Sequence, residues 1–189
     1  MVGSSATPNQ AAKQQQIIEA ARAVLARDGL AGCTVRAVAE AGPLTKSAVH
    51  YYFADMDELV ELAMAEHIRA FVRGLRQVAE GGDGFWGAVE AYLRTFRERQ
   101  GIALLWFDYW LDAVRKGREE AVERMHGEVV AVFAELLGRL DAEDRAEALF
   151  SYLLGEVVQQ AVRAKPFTET TQEIARLCGV KPPYGNAAG

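Results

Sequence analysis

Apolar positions recur along this 189-residue chain at helical spacing, and no alternating strand pattern of useful length interrupts them. The first stripe is Ile17, Ala21, Val24 and Leu25, at i, i+4, i+7 and i+8, which predicts a helix over Lys13–Arg27 ended by Asp28-Gly29. Thr34 is suited to cap a short helix, Val35–Ala41, which Gly42-Pro43 stops, because proline lacks a donor and disfavours helical geometry before it. Thr45 then caps Lys46–Tyr52. Asp55 caps a long helix reaching Glu80, with Asp57, Glu58 and Glu61 at its positive end. The glycine-rich stretch 81–84 is the clearest break. Beyond it the pattern predicts helices over 85–98, 102–115, 118–140, 142–164 and 168–177. The expected fold is all-α: a loose tail over 1–12, a three-helix unit over 13–53, a larger helical body over 54–180 and a loose tail over 181–189.

The unit ending at Phe53 carries the candidate chemistry. A short helix, a sharp turn and a second helix of basic, hydroxyl and aromatic composition place side chains in a DNA groove. Val38, Ala39, Ala48, Val49 and Tyr52 can form the buried seam. Thr34 and Thr45 set hydroxyls and free backbone N–H groups at two helix N-termini, where phosphate oxygens bind. Arg36, Lys46, Ser47, His50 and Tyr51 remain for bases and phosphates, with Tyr52 beside them.

Charge changes the picture little. The net charge of −5 argues against nucleic acid, but residues 1–53 hold Lys13, Arg22, Arg27, Arg36 and Lys46 against Glu19, Asp28 and Glu40, which is +2 and leaves −7 for the rest. Half the residues are hydrophobic and a quarter charged, a globular composition. No apolar run approaches the roughly 20 residues that cross a bilayer, and the N-terminus lacks a basic region followed by an apolar one, so neither membrane span nor signal peptide is expected. Cys33 and Cys178, far apart, read as free thiols of a cytoplasmic protein that pack as small apolar residues.

Two patterns mark the body. Residues 104–111 contain Trp106, Phe107, Tyr109 and Trp110, which read equally as ordinary core or as the wall of an apolar ligand pocket. Trp86, Tyr92 and Phe96 before them, and Met125 and Phe133 after, can join that wall, with Asp108 as a nearby charge suited to a cationic or hydroxylated ligand. The second pattern is 148–162, apolar around most of a helix and interrupted only by Ser151, Glu156, Gln159 and Gln160. Such a helix buries more than one face, and Gly155 permits close approach of a second copy. The expected dimer interface is Leu149, Tyr152, Leu153, Gly155, Glu156, Val157 and Gln160, with Ile174 from the last helix.

No enzyme motif competes. His50, His67 and His126 are scattered, no HExxH, CxxC or GxSxG occurs, and the glycine stretch lacks the strand and lysine of a phosphate-binding loop. No metal or cofactor is expected.

Thr34-Val35-Arg36, Val38-Ala39, Thr45-Lys46, Val49, Tyr52-Phe53, Asp55 and Leu59 resemble the signature of the tetracycline-repressor (TetR) family of bacterial transcriptional regulators, and the stretch 20–34 resembles the family's first helix and its link. The resemblance covers about Ile17 to Leu62. It implies a ligand-responsive regulator, in the repressor sense, that binds a palindromic double-stranded operator as a homodimer and is released by a small molecule, here an apolar or aromatic one. Three positions depart from the family pattern: Pro43 at the turn, leaving Gly42 to carry it, His50 where a tyrosine is common, and Met56 where a lysine is frequent. The alternative reading is a helical ligand- or protein-binding module without sequence-specific DNA binding.

Overall fold

The computed structural model describes residues 8–163 and 165–183, and among these every regular element is helical. The helices are α1 (Pro8–Gly32), α2 (Val35–Ala41), α3 (Lys46–Tyr52), α4 (Met56–Val78), α5 (Gly84–Glu98), α6 (Gln100–Arg115), α7 (Glu119–Gly138), α8 (Ala146–Val162) and α9 (Phe167–Cys178).

The short helices have the bounds their caps dictate. Thr34 Oγ1 accepts the Ala37 N–H at 3.2 Å, and Thr45 Oγ1 accepts the Ala48 N–H at 3.1 Å. Asp55 likewise accepts from the Asp57 N–H at 2.8 Å and starts α4.

Several boundaries move. α1 begins at Pro8, so residues 8–12 are helical where a loose tail was expected; residues 1–7 lie outside the described residues. A proline fits the first helical position because its missing N–H is unpaired there in any case. Gly29 (φ 72°, ψ −174°) kinks the chain where the sequence predicts a stop, and one more turn runs to Gly32. α4 ends at Val78 and widens into a π-type turn, Ala79–Asp83, closed by the Gly84 N–H on the Ala79 carbonyl. A 3₁₀ turn, Glu143–Arg145, precedes α8, which therefore starts at Ala146. Of the expected C-terminal tail, Lys181–Pro183 are described and lie outside any helix.

One core runs through the molecule. Ile17, Ala21 and Val24 of α1 meet Val38, Val49 and Leu59, and the same apolar cluster continues into Tyr92, Tyr109, Phe133, Leu149, Leu153 and Ile174. α1 packs on α4, α2 and α6, so the first helix touches both the short helical pair and the body. Cys33 and Cys178 are free; burial pushes both thiols up to about 11.

Candidate nucleic-acid interface and ligand cavity

α3 is anchored by one face and open on the other. Val49 is fully buried and Phe53, which closes the helix through its N–H on the Val49 carbonyl, is nearly so. Lys46, Ser47, His50 and Tyr51 are exposed, Tyr51 to 75% of its surface, while half-buried Tyr52 packs on the core and meets the Tyr51 ring edge-on at 5.1 Å. The structure thus brings Thr45, Lys46, Ser47, His50 and Tyr51 onto one outward surface. Thr34 is exposed at the start of α2, though both threonine hydroxyls already accept cap hydrogen bonds. Arg36 is tied by its Nε to Glu40 at 2.8 Å on the exposed face of α2. Lys46 has no carboxylate partner among the described residues.

The turn does not work as the glycine at position 42 suggests. Gly42 is extended (φ −122°, ψ 168°), so neither it nor Pro43 needs a positive φ. A Cβ on Gly42 would meet Leu44 Cδ1 at 3.0 Å and Ala20 Cβ at 3.4 Å. The glycine serves close approach to α1, and proline at the next position enforces the extended geometry. Met56, where a phosphate-binding lysine was missing, is half-buried against the core.

The body contains a cavity of about 250 Å³ between α1, α4, α5, α6 and the α7–α8 pair. Of the residues picked from sequence, Tyr92, Phe96 and Trp106 line it. Phe133 stands behind Tyr92, ring centroids 6.0 Å apart, and Met125 is buried core. Trp110 packs on Trp106 and His126 outside the lining. The rest are elsewhere: Phe107 lines a separate apolar cleft with Leu104, Val158 and Val162, and Asp108 faces a cleft beside Met56 and Lys116. Trp86 donates its indole N–H to the Lys181 carbonyl at 3.0 Å, which pins the segment after α9. Helical rotation separates Asp108 from Trp106 by about 200°, so adjacent sequence could not share a pocket.

Sequence reasoning missed the cavity's charged groups. Arg22, His67 and Arg99 line it, with Phe71 and Phe150. Burial holds the His67 imidazole below its ordinary range, and the Arg22 and Arg99 guanidiniums push it further the same way. Arg22 directly follows Ala21 of the apolar stripe, but nothing in a lone arginine beside such a stripe signals a cavity.

The expected interface on α8 needs correction. Leu149, Leu153 and Ile174 have no exposed area, and Val157 and Glu156 retain 8% and 3%. Side chains already enclosed by their own chain have almost nothing left to bury against a partner. Glu156 instead accepts from Thr170 Oγ1 at 3.2 Å and from Gln160 at 3.4 Å, with Lys165 Nζ 3.6 Å away. Tyr152 donates to Glu173, which Lys165 also meets. Part-exposed Gly155 belongs to the outward stripe with Ser151, Val158 and Val162.

Among the described residues no group of three or more His, Cys, Asp or Glu side chains could hold a metal, and no helix is long and apolar enough to cross a membrane. An exposed helix-turn-helix on an all-α body with an apolar cavity defines a DNA-binding regulator.

Residues 17–63 match the family described as bacterial regulatory proteins, tetR family. The nicotine-responsive transcriptional repressor HdnoR of Paenarthrobacter nicotinovorans is 35% identical over 71 residues, which is 38% of this chain and only 37% of that protein's length. The HTH-type transcriptional regulator BetI of Paraburkholderia xenovorans (strain LB400) is 25% identical over 165 residues, 82% of this chain and 85% of that one. The structure of the multidrug binding protein EbrR complexed with proflavin superposes with a TM-score of 0.68 at 23% identity, covering 87% of this chain and 99% of that chain. Residues 17–63 thus carry a tetR-family DNA-binding unit, and the relatives that span most of the chain are transcriptional regulators.

Proposed function

We propose that the chain is a homodimeric repressor that binds a palindromic operator through α3 of each copy and is released when a small apolar or aromatic molecule enters the body. The observation that carries the reading is α3 itself: a helix fastened by Val49 whose exposed face presents Lys46, Ser47, His50 and Tyr51. Lys46 and Tyr51 bond bases or phosphates, Thr34 and Thr45 set two helix N-termini on the backbone, Tyr52 adds a contact from the end of α3, and Arg36 and His50 add contacts at the edge. The relatives support it: HdnoR is a nicotine-responsive repressor and EbrR a multidrug binding protein.

Two copies pair through the outward stripe of α8, where Val158 is 50% and Val162 90% exposed and Gly155 has open space beside it. Tyr152 and Gln160, half-buried, border it. A C2 pair sets two recognition helices about 34 Å apart, as a palindrome requires. Ligand in the cavity favours a different separation of those helices, with α4 as lever, and a coupling of about 1–3 kcal/mol changes operator affinity about 5–150-fold. Such a regulator works in the cytoplasm, where its DNA is.

Selection from random double-stranded DNA tests this. An enriched palindrome whose affinity falls steeply with salt is expected. If no site is enriched even at low salt, the binding-module alternative stands instead.

A further inference from the structure

The chemistry of the cavity names a ligand class. Most of its wall is hydrocarbon and aromatic ring, from Phe71, Phe96, Leu105 and Trp106 among others. Its lining includes the basic residues Arg22, His67 and Arg99, the two arginines charged, and no aspartate or glutamate. Two N–H groups on lining residues, Arg22 Nε and Trp106 Nε1, are buried without any hydrogen-bond partner. Buried donors of that kind are nearly always satisfied in a protein that is doing its work. Arg22 is only partly neutralised, since Glu19 holds its Nη1 at 2.9 Å and leaves Nε free. Arg99 has no ion-pair partner among the described residues. A cation would find no carboxylate on this wall, and half-buried Arg22 would oppose it.

Resting on the reading of the chain as a ligand-responsive regulator, we propose that the cavity receives an aromatic carboxylate, its ring among Phe71, Phe96 and Trp106 and its carboxylate toward Arg22, His67 and Arg99. The size fits. An apolar cavity of about 150 Å³ holds benzene, so about 250 Å³ holds one or two fused rings bearing a short acid side chain. Arg22 is the sole lining residue from residues 8–53, so the anion ties the body directly to α1 of the DNA-binding unit. Ligand sensing therefore runs through a charge-assisted contact on α1 as well as through α4.

Titration of the full chain with benzoate, cinnamate and 2-naphthoate, each beside its neutral amide and its corresponding amine, tests the class by calorimetry. At least one acid is expected to bind about tenfold or more tighter than its amide, with the amine weaker still. Arg22→Gln and Arg99→Gln are expected to remove that acid-over-amide preference by weakening the acid far more than the amide, and Arg22→Lys to restore part of it. The proposal is overturned if no acid outbinds its amide, if an amine binds best, or if both glutamine variants keep the preference. Operator selection with ligand-free protein is a separate measurement. An operator without acid preference sinks only the ligand class, whereas acid preference without an operator sinks only the repressor reading.

Discussion

Lys116 Nζ lies 2.8 Å from Asp57 Oδ1, joining the end of α6 to the first turn of α4, four residues after Phe53 closes α3. The same ammonium meets Asp112 at 2.9 Å, and Arg118 stands 3.6 Å from both carboxylates. Arg124 and Glu61, 2.7 Å apart, make a second link one turn along. The start of α4 is thus held from the body by ion pairs at the surface.

Lys116→Ala is expected to change stability by at most about 1 kcal/mol, since partly exposed pairs contribute little. Its larger effect falls on coupling: the ratio of operator affinities with and without ligand should change at least twofold, read by fluorescence anisotropy. An unaltered ratio would show that the link is passive.

Lys46→Ala weakens operator binding across all sequences and lowers the slope of log affinity against log salt by about one, with fold and dimer intact. Glu40→Gln does the opposite. It frees Arg36 from its 2.8 Å ion pair and removes a negative charge near the phosphates, so affinity rises and becomes more salt-dependent.

Val162→Asp separates the copies. The side chain is 90% exposed in the protomer, so melting of a single chain is untouched while a buried charge burdens the dimer. Sedimentation velocity should show monomer at concentrations where the parent pairs.

Around Glu156, removal of one partner costs more than removal of the charge. Lys165→Met leaves a carboxylate with 3% exposure without its cation and destabilises by roughly 1–3 kcal/mol, discounted for the lysine's partial exposure, whereas Glu156→Gln keeps the hydrogen bonds and costs less. Urea unfolding of the two variants ranks them.

His67 predicts a pH dependence. Its folded pKa lies below the ordinary 6.5 through burial, then Arg22 and Arg99. Above pH 6.5 the ring is neutral in both states and contributes nothing. As pH falls below 6.5 the unfolded chain takes up the proton first, so stability declines until the lowered folded pKa is passed. Thermal melts of His67→Gln should lack this part of the decline.

Local chemistry was legible along the chain wherever one residue acts on its own neighbours. Thr34, Thr45 and Asp55 cap their helices because a short side-chain oxygen reaches a free N–H two or three residues on, whatever the rest of the molecule does. Gly42-Pro43 breaks α2 for the same local reason. The family signature at Thr34–Leu59 follows, because it is written in such short-range constraints. Burial on α8 and the cavity lining were not legible. Leu149 and Val158 are both apolar residues of one helix, and only the packing of α5, α7 and α9 decides which has a neighbour and which faces out. Asp108 and Trp106 stand two residues apart, yet helical rotation sends one to a surface cleft and the other to the cavity. Arg22, His67 and Arg99 are separated by dozens of residues, and their shared cavity arises only when α1, α4 and the α5–α6 corner meet. Helices, caps and the polar, basic composition of α3's open face come from residues within a short stretch of chain; the basic cavity and the open stripe of α8 come from contacts between helices, which periodicity along one helix does not encode.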